Sequence, residues 1–163
     1  MGEPLNLPLP GREFPPMTDD WRARILETPD AITALLDSTR TIAVLGIKPA
    51  DSAAPAYEVP AYAQRAGYRI IPVPVYYPEV REILGAPVHR TIGGLGEPVD
   101  LVNVFRRPKD LPAHLDDLLT ARPRAVWFQS GIREEAVAEA LARAGIAVVQ
   151  DRCLLVELRA RGR

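Results

Sequence analysis

The chain has one cysteine, Cys153, and two histidines, His89 and His114, in 163 residues. A single cysteine excludes an internal disulfide and a cysteine-rich metal site, and neither histidine has metal-ligand spacing. Lysine is as scarce, standing only at positions 48 and 109, so arginine carries nearly all the cationic charge. No sign of charge prevails: the formal net charge of −1 gives no footing for a general nucleic-acid or membrane surface. No apolar run approaches the roughly 20 residues of a membrane helix. The first seventeen residues lack a basic stretch followed by an apolar one, so no secretory leader is expected. These absences lead to the expectation of a cytoplasmic protein.

An apolar fraction of 47% with 25% charged residues is that of an ordinary globular domain. Residues 1–17 are proline-rich and read as an extended arm. Thr18 or Asp19 can cap a short helix over 20–27, and Pro29 or Asp30 opens a second helix to Ser38, with Ile32, Leu35 and Leu36 on one face. From Thr41 the pattern changes. Apolar runs at 41–45, 69–73, 100–105, 124–128 and 146–150 alternate with helix-period stretches at 55–66, 108–120 and 132–144. Continuous apolar strands separated by helices predict a parallel sheet covered on both faces.

The expected fold is therefore α/β, a Rossmann-like doubly wound parallel sheet of about five strands with an N-terminal helical extension. Residues 1–39 form the extension and 40–163 the domain. A short helix is expected at 78–84 and a short edge strand near 87–90. Pro72 cannot donate to a ladder, so its strand either ends there or lies near an edge. With 41–45 central, flanked by 69–73 and 100–105, the topological switch point lies between the carboxyl ends of 41–45 and 100–105. Ligands of open α/β sheets bind at that place.

Gly46 ends the first strand, and the loop after it runs through Lys48 and Ser52-Ala53-Ala54 to Pro55 at a helix start. Glycine permits a tight turn, proline suits the first helical position, and the helix N-terminus favours an anion. The segment reads as a phosphate cradle. It is a poor nicotinamide site, because two of the three fingerprint glycines are missing and no acid follows the second strand. Phe105-Arg106-Arg107-Pro108 ends the third strand at the switch point, where arginines can pair with phosphates. Gly93-Gly94-Leu95-Gly96 precedes a strand rather than a helix and reads as a connector. Ser130 lacks a nucleophile elbow and reads as a cap for a helix starting near Ile132. Cys153 reads as structural, although Arg152 beside it could favour a thiolate. With no nucleophile–base pair legible, the residues argue against an enzyme.

Five stretches stand in register over about 40–158: Ile42-Ala43-Val44-Leu45-Gly46, Gly67 to Val73, Val99 to Pro108, Ala125 to Gly131, and Asp151-Arg152-Cys153. Together they resemble the stand-alone CoA-binding domain proteins, a family similar to the CoA-binding domain of the succinyl-CoA synthetase alpha subunit. The resemblance implies a Rossmann-like domain, at 40–163, that binds coenzyme A across the strand ends. By position, the loop from Gly46, Ile47 and Lys48 to Pro55 and Tyr57 would hold the diphosphate. Val73 and Pro74 would line the adenosine side, Phe105, Arg106, Arg107 and Pro108 would border the nucleotide, and Gln129, Ser130 and Gly131 would close the far wall.

The family loop usually carries a serine two residues after the glycine and Arg-Pro-Ser-Tyr at the helix start. Here those positions are Lys48 and Ala54-Pro55-Ala56-Tyr57. Leu154 likewise replaces a proline, and Val73-Pro74-Val75 stands for Val-Asn-Pro. The implied function is non-catalytic binding of coenzyme A or an acyl-CoA, as carrier, sensor or regulator. Two alternatives stand beside it. One is a redox-linked protein in which Cys153 forms a mixed disulfide with the CoA thiol. The other is a degenerate scaffold for protein–protein contact. The N-terminal arm and the last helix are surfaces available to a homodimer.

Overall fold

The computed structural model describes residues 20–163, so the expected arm at 1–17 and the proposed caps Thr18 and Asp19 lie outside the described residues. Helix α1 spans Pro29–Ser38, capped by the Thr28 hydroxyl, which accepts from the Ala31 N–H at 3.2 Å. Five parallel strands form the sheet: β1 (Thr41–Leu45), β2 (Arg69–Val73), β5 (Leu101–Val104), β6 (Ala125–Phe128) and β7 (Ala147–Val149). They are joined by helices α2 (Pro55–Arg65), α3 (Leu115–Ala121) and α4 (Glu135–Arg143), and α5 (Leu154–Ala160) closes the chain. The short strands β3 (Glu82–Ile83) and β4 (Ala86–Pro87) form a separate antiparallel pair.

The sheet order is β2-β1-β5-β6-β7. Strand β1 has the two expected neighbours, while β5 is the middle strand. Because side chains alternate across a strand, each run splits between two cores. Ile42, Val44, Leu101, Ala125 and Trp127 face α1, α2 and α5 with Ile32, Leu36, Val59 and Leu158. Ala43, Leu45, Val102, Val104, Val126 and Phe128 face α3 and α4 with Leu118, Val137 and Leu141. The result is a three-layer doubly wound sheet, as read from the sequence. The chain leaves β1 toward β2 and returns past it to β5, which sets the switch point between β1 and β5.

Strand β2 is the edge that Pro72 called for. The Pro72 carbonyl accepts from the His89 N–H at 2.9 Å. Since a residue's N–H and C=O point the same way in a strand, Pro72 turns its missing donor outward, where the ladder loses nothing. The β3–β4 hairpin covers this edge and is tied to α2 by Gln64 Nε2 on the Leu84 carbonyl at 2.8 Å.

Three expectations require correction. The helix at 20–27 is a 3₁₀ turn, Trp21–Arg24, after which Ile25 bridges Val148 in parallel and the Leu26 N–H donates to the Val148 carbonyl. The segment satisfies an open sheet edge instead of extending its own helix. The helix at 78–84 is a turn entering β3, because Leu84 and Gly85, both at positive φ, reverse the chain into β4. The first half of the 108–120 helix is 3₁₀ over Pro108–His114, where Pro112 has no N–H for an α-helical bond.

Gly46 has φ +87°, and a Cβ there would stand 2.3 Å from the Phe105 carbonyl oxygen. Gly131 has φ +83° with nothing within 4 Å of a Cβ. Gly131→Ala should therefore cost only the left-handed strain of about 1–2 kcal/mol. Gly46→Ala should add a clash worth about 1–3 kcal/mol more. Urea unfolding of the two variants checks this, and equal losses would refute the contact.

Candidate functional site

The carboxyl ends of β1, β2 and β5 are stitched together one residue beyond the strands. The Gly46 N–H donates to the Val73 carbonyl at 2.9 Å, and the Phe105 N–H donates to the Leu45 carbonyl at 2.9 Å. Gly46 is thus a packing requirement first. The floor that its missing side chain leaves is filled by the Phe105 carbonyl and by Arg106, whose Cδ would stand 3.3 Å from a Cβ.

Beyond Gly46, Ile47 is buried in the core, so it can offer a ligand only its main chain. Lys48 is half-exposed and has no ion-pair partner among the described residues. Its N–H donates to the Ala56 carbonyl at 3.2 Å, which folds the loop back on the start of α2. A 3₁₀ turn at Ala50–Ser52 and left-handed Ala53 complete the loop. Helix α2 opens with Pro55 and has no side-chain cap at Ala54. The Tyr57 and Glu58 N–H groups both reach the Ala54 carbonyl at 2.9 Å, which leaves the Ala56 N–H as the first-turn donor for an anion. Tyr57 packs half-buried against the core.

Val73 and Pro74 are buried, so beyond the end of β2 the accessible surface comes from residues further along the chain. There Tyr76 is 59% exposed, and the Arg106 guanidinium lies over its ring at 5.5 Å. Phe105 is half-buried. The adjacent arginines differ in kind. Arg107 is exposed and donates from Nε to Asp110 Oδ2 at 2.8 Å. Arg106 is mostly covered: its Nε donates to His114 Nε2 at 3.1 Å, and its Nη2 lies 3.7 Å from Asp110 Oδ2. Pro108 is exposed and opens the 3₁₀ helix that brings Asp110 and His114 back to Arg106. Hydrogen bonding to Arg107 leads the effects that hold Asp110 below the usual carboxylate range.

The far side is built differently from expectation. Gln129 is buried, and its Oε1 accepts from Asn103 Nδ2 at 3.2 Å and from the Leu154 N–H at 3.3 Å. Its side chain is turned inward, joining β5, β6 and α5. Ser130 is exposed and is not the α4 cap. That role belongs to Glu134, whose carboxylate accepts from the Val137 N–H at 2.5 Å. Helix α4 starts late because the Gly131 N–H is held by Asp151 Oδ1 at 2.7 Å and the Glu134 N–H by Gln150 Oε1 at 2.9 Å. Arg152 is engaged with Glu157 and the Glu27 carbonyl, and Cys153 packs half-buried against the core.

The glycine-rich connector is anchored, with the Ile92 and Gly93 N–H groups donating to the Asp117 carboxylate at 2.7 and 2.8 Å. Sequence reasoning missed Tyr76, Asn103, Asp110 and His114. Tyr76 lies just past a strand's carboxyl end, which was the available signal; His114 reaches Arg106 only through the 3₁₀ turn that Pro108 and Pro112 impose. Two cavities lie away from this crest. One of about 280 Å³ sits between β2 and the hairpin, and one of about 350 Å³ lies beside Gly93, Gly96 and Thr120.

The crest carries Lys48 and Arg106 with the open N-terminus of α2 and exposed Tyr76, and the same loop and first helical turn also bring the acidic Asp51 and Glu58. Helix N-termini and arginine forks are both groups that pair with anions.

A family model described as a CoA binding domain matches residues 40–159. The chain is 32% identical over 125 residues to YneT of Bacillus subtilis, covering 77% of this chain and 90% of that protein. A solved structure of a Thermus thermophilus protein is 42% identical, with a TM-score of 0.75 over 82% of this chain and 98% of the other. The dinucleotide forming acetyl-coenzyme A synthetase 1 of Ca. Korarchaeum cryptofilum shares the fold at 15% identity and a TM-score of 0.58. That match covers 66% of this chain and 25% of that one.

Gln129→Leu should lower stability by about 2–4 kcal/mol, because the Asn103 amide and the Leu154 N–H both lose their acceptor. Ser130→Ala should stay within about 0.5 kcal/mol. Chemical denaturation separates these outcomes.

Burial, and then Arg106, hold His114 below its ordinary value of about 6.5, against weaker opposing pulls from Asp117 and Asp110. The folded chain therefore binds this proton less readily than the unfolded one. The stability that His114 contributes is present above the unfolded value and lost as pH falls through the folded one. His114→Gln should reduce the fall in Tm between about pH 7.5 and pH 5; an unchanged fall would exclude His114 as its source.

Proposed function

The chain belongs to the CoA-binding domain family, and from that premise we propose that it binds coenzyme A or an acyl-CoA across the carboxyl ends of β1, β5 and β6, without chemistry of its own. The observation that carries this reading is the coincidence, at one end of the sheet, of the switch point, two cations and an uncapped helix start inside the segment that the family model spans. The diphosphate would meet Lys48, the Ala56 N–H and, once reoriented, Arg106. Tyr76 offers a face to the adenine, and Val73 and Pro74 form the buried floor beneath it. Phe105, Arg107 and Pro108 border the nucleotide. Ser130 and Gly131 supply exposed backbone at the far end, with Gln129 holding that wall from behind.

A binding rather than catalytic role is supported by how the candidate reactive groups are used. His114 is given over to Arg106, and Cys153 packs against the core. No base hydrogen-bonds Ser130 or Cys153 among the described residues. A carrier, sensor or regulator of CoA status is the role that such a site suits.

Coenzyme A should raise the melting temperature of the full chain, while NAD and NADP should not. Equal or absent shifts for all three would remove this reading and favour a scaffold that has lost its ligand. By calorimetry, Lys48→Ala should weaken CoA binding about three- to tenfold, as for one partly exposed charge contact. Unchanged affinity would place the diphosphate elsewhere.

A further inference from the structure

Arg106 is the cation nearest the floor of the crest, yet its guanidinium is held by protein on three sides. Nε donates to His114 Nε2 at 3.1 Å, Nη2 faces Asp110 Oδ2 at 3.7 Å, and the plane lies over Tyr76 at 5.5 Å from the ring centre. Its side chain is 14% exposed and its Cδ lies over Gly46. A guanidinium can only donate, so His114 must accept at Nε2 and carry its proton on Nδ1. That bond exists only for the neutral ring. Protonation turns both ring nitrogens into donors and sets a second positive charge against Arg106.

The other charged groups acting on His114 are Asp110, on the same 3₁₀ turn, and Asp117 from α3. Asp110 is shared with Arg107, and Asp117 is occupied by the Ile92 and Gly93 N–H groups. Neither is free to take over the role of His114.

We infer that His114 is a positioning residue for Arg106: neutral, it parks the guanidinium beside Asp110 and the Tyr76 ring, and protonated, it releases Arg106 to meet the ligand's diphosphate. This rests on the CoA reading of the site. Linkage sets the sign. An anion paired with a released Arg106 favours the protonated ring, so the complex takes up a proton and affinity rises as pH falls.

The test uses the full chain and dephospho-CoA, whose diphosphate does not titrate between about pH 5.5 and pH 7.5. Calorimetry at those two values should show binding about three- to tenfold tighter at the lower pH. His114→Gln keeps an acceptor at every pH, so it should bind with the weaker affinity at both. His114→Ala frees Arg106 at every pH, so it should bind with the tighter affinity at both. A merely structural histidine would weaken both variants alike.

A pH-flat wild type, or the same slope in His114→Gln, overturns the inference. In ligand-free protein, the Arg106 Nε–H resonance should move with the His114 titration by NMR; independence of the two also overturns it. Absence of dephospho-CoA binding at either pH in wild type and His114→Ala alike removes the CoA reading and this role with it. Binding that is present but pH-flat removes this role alone.

Discussion

Where β1 ends, the backbone of Gly46 lies directly against the carbonyl of Phe105, too close for any side chain at position 46. That contact sets the spacing of β1 and β5 at the switch point, and everything on the crest is hung from it. It allows the Leu45 carbonyl and the Phe105 N–H to extend the ladder while the Gly46 N–H turns to Val73 on the other side. The chain can then leave toward Lys48 and α2, and Arg106 can emerge over the same floor. At the amino ends the same pair of strands is pinned by Asp100, whose carboxylate accepts from the Arg40 and Thr41 N–H groups at 2.8 and 3.1 Å. The pair β1 and β5 is thus fixed at both ends.

A second constraint lies in the core. Asn103 is fully buried in the middle strand, and its amide reaches Gln129, which also receives the first N–H of α5. Burying two amides is costly unless their bonds are made. Here they weld β5, β6 and α5 into one unit, while Asn103 Oδ1 is left without a partner. Trp127 adds a parallel tie, donating from Nε1 to the Arg152 carbonyl at 2.8 Å. Cys153 stands between these two anchors at the start of α5, which explains its packed, half-buried place without appeal to reactivity.

The sheet was legible because its five strands are nearly continuous apolar runs, as strands covered on both faces are, with Asn103 the buried polar exception. Pro72 fixed the edge for the same kind of reason: a missing donor can be tolerated only where no further strand pairs. The elements that escaped reading had short-range causes masked by tertiary ones. Ile25 prefers a partner at Val148 to a helix of its own. Leu84 and Gly85 reverse the chain into a hairpin, although the apolar spacing before them suits a helix. Ser130 has the chemistry of a cap, but Gln150 and Asp151 from the next loop hold the backbone and move the helix start to Glu135. At the site, the loop and Arg106 were readable from their place after strands. Tyr76 and His114 were not, because their role depends on where a 3₁₀ turn and a strand exit deliver them.

The loop's own substitutions change how an anion is held. Hydroxyls after the glycine and at the helix start would bind phosphate by short, oriented bonds that screening barely touches. Lys48 stands in place of the first hydroxyl and Ala56 of the second, while Ala54 takes the place of an arginine, so the loop keeps one ammonium and one backbone N–H. Under the proposed function, recognition would lean on Arg106, a planar fork able to take two phosphate oxygens at once. A fork is useful only when its donors are free, and here Nε is committed to His114 while Asp110 and the Tyr76 ring lie beside the rest of the guanidinium. A ligand must compete with those partners rather than fill a vacant cradle. If CoA binds here as proposed, that competition would couple the crest to the protonation of a single ring, a dependence that serine hydroxyls alone would not bring.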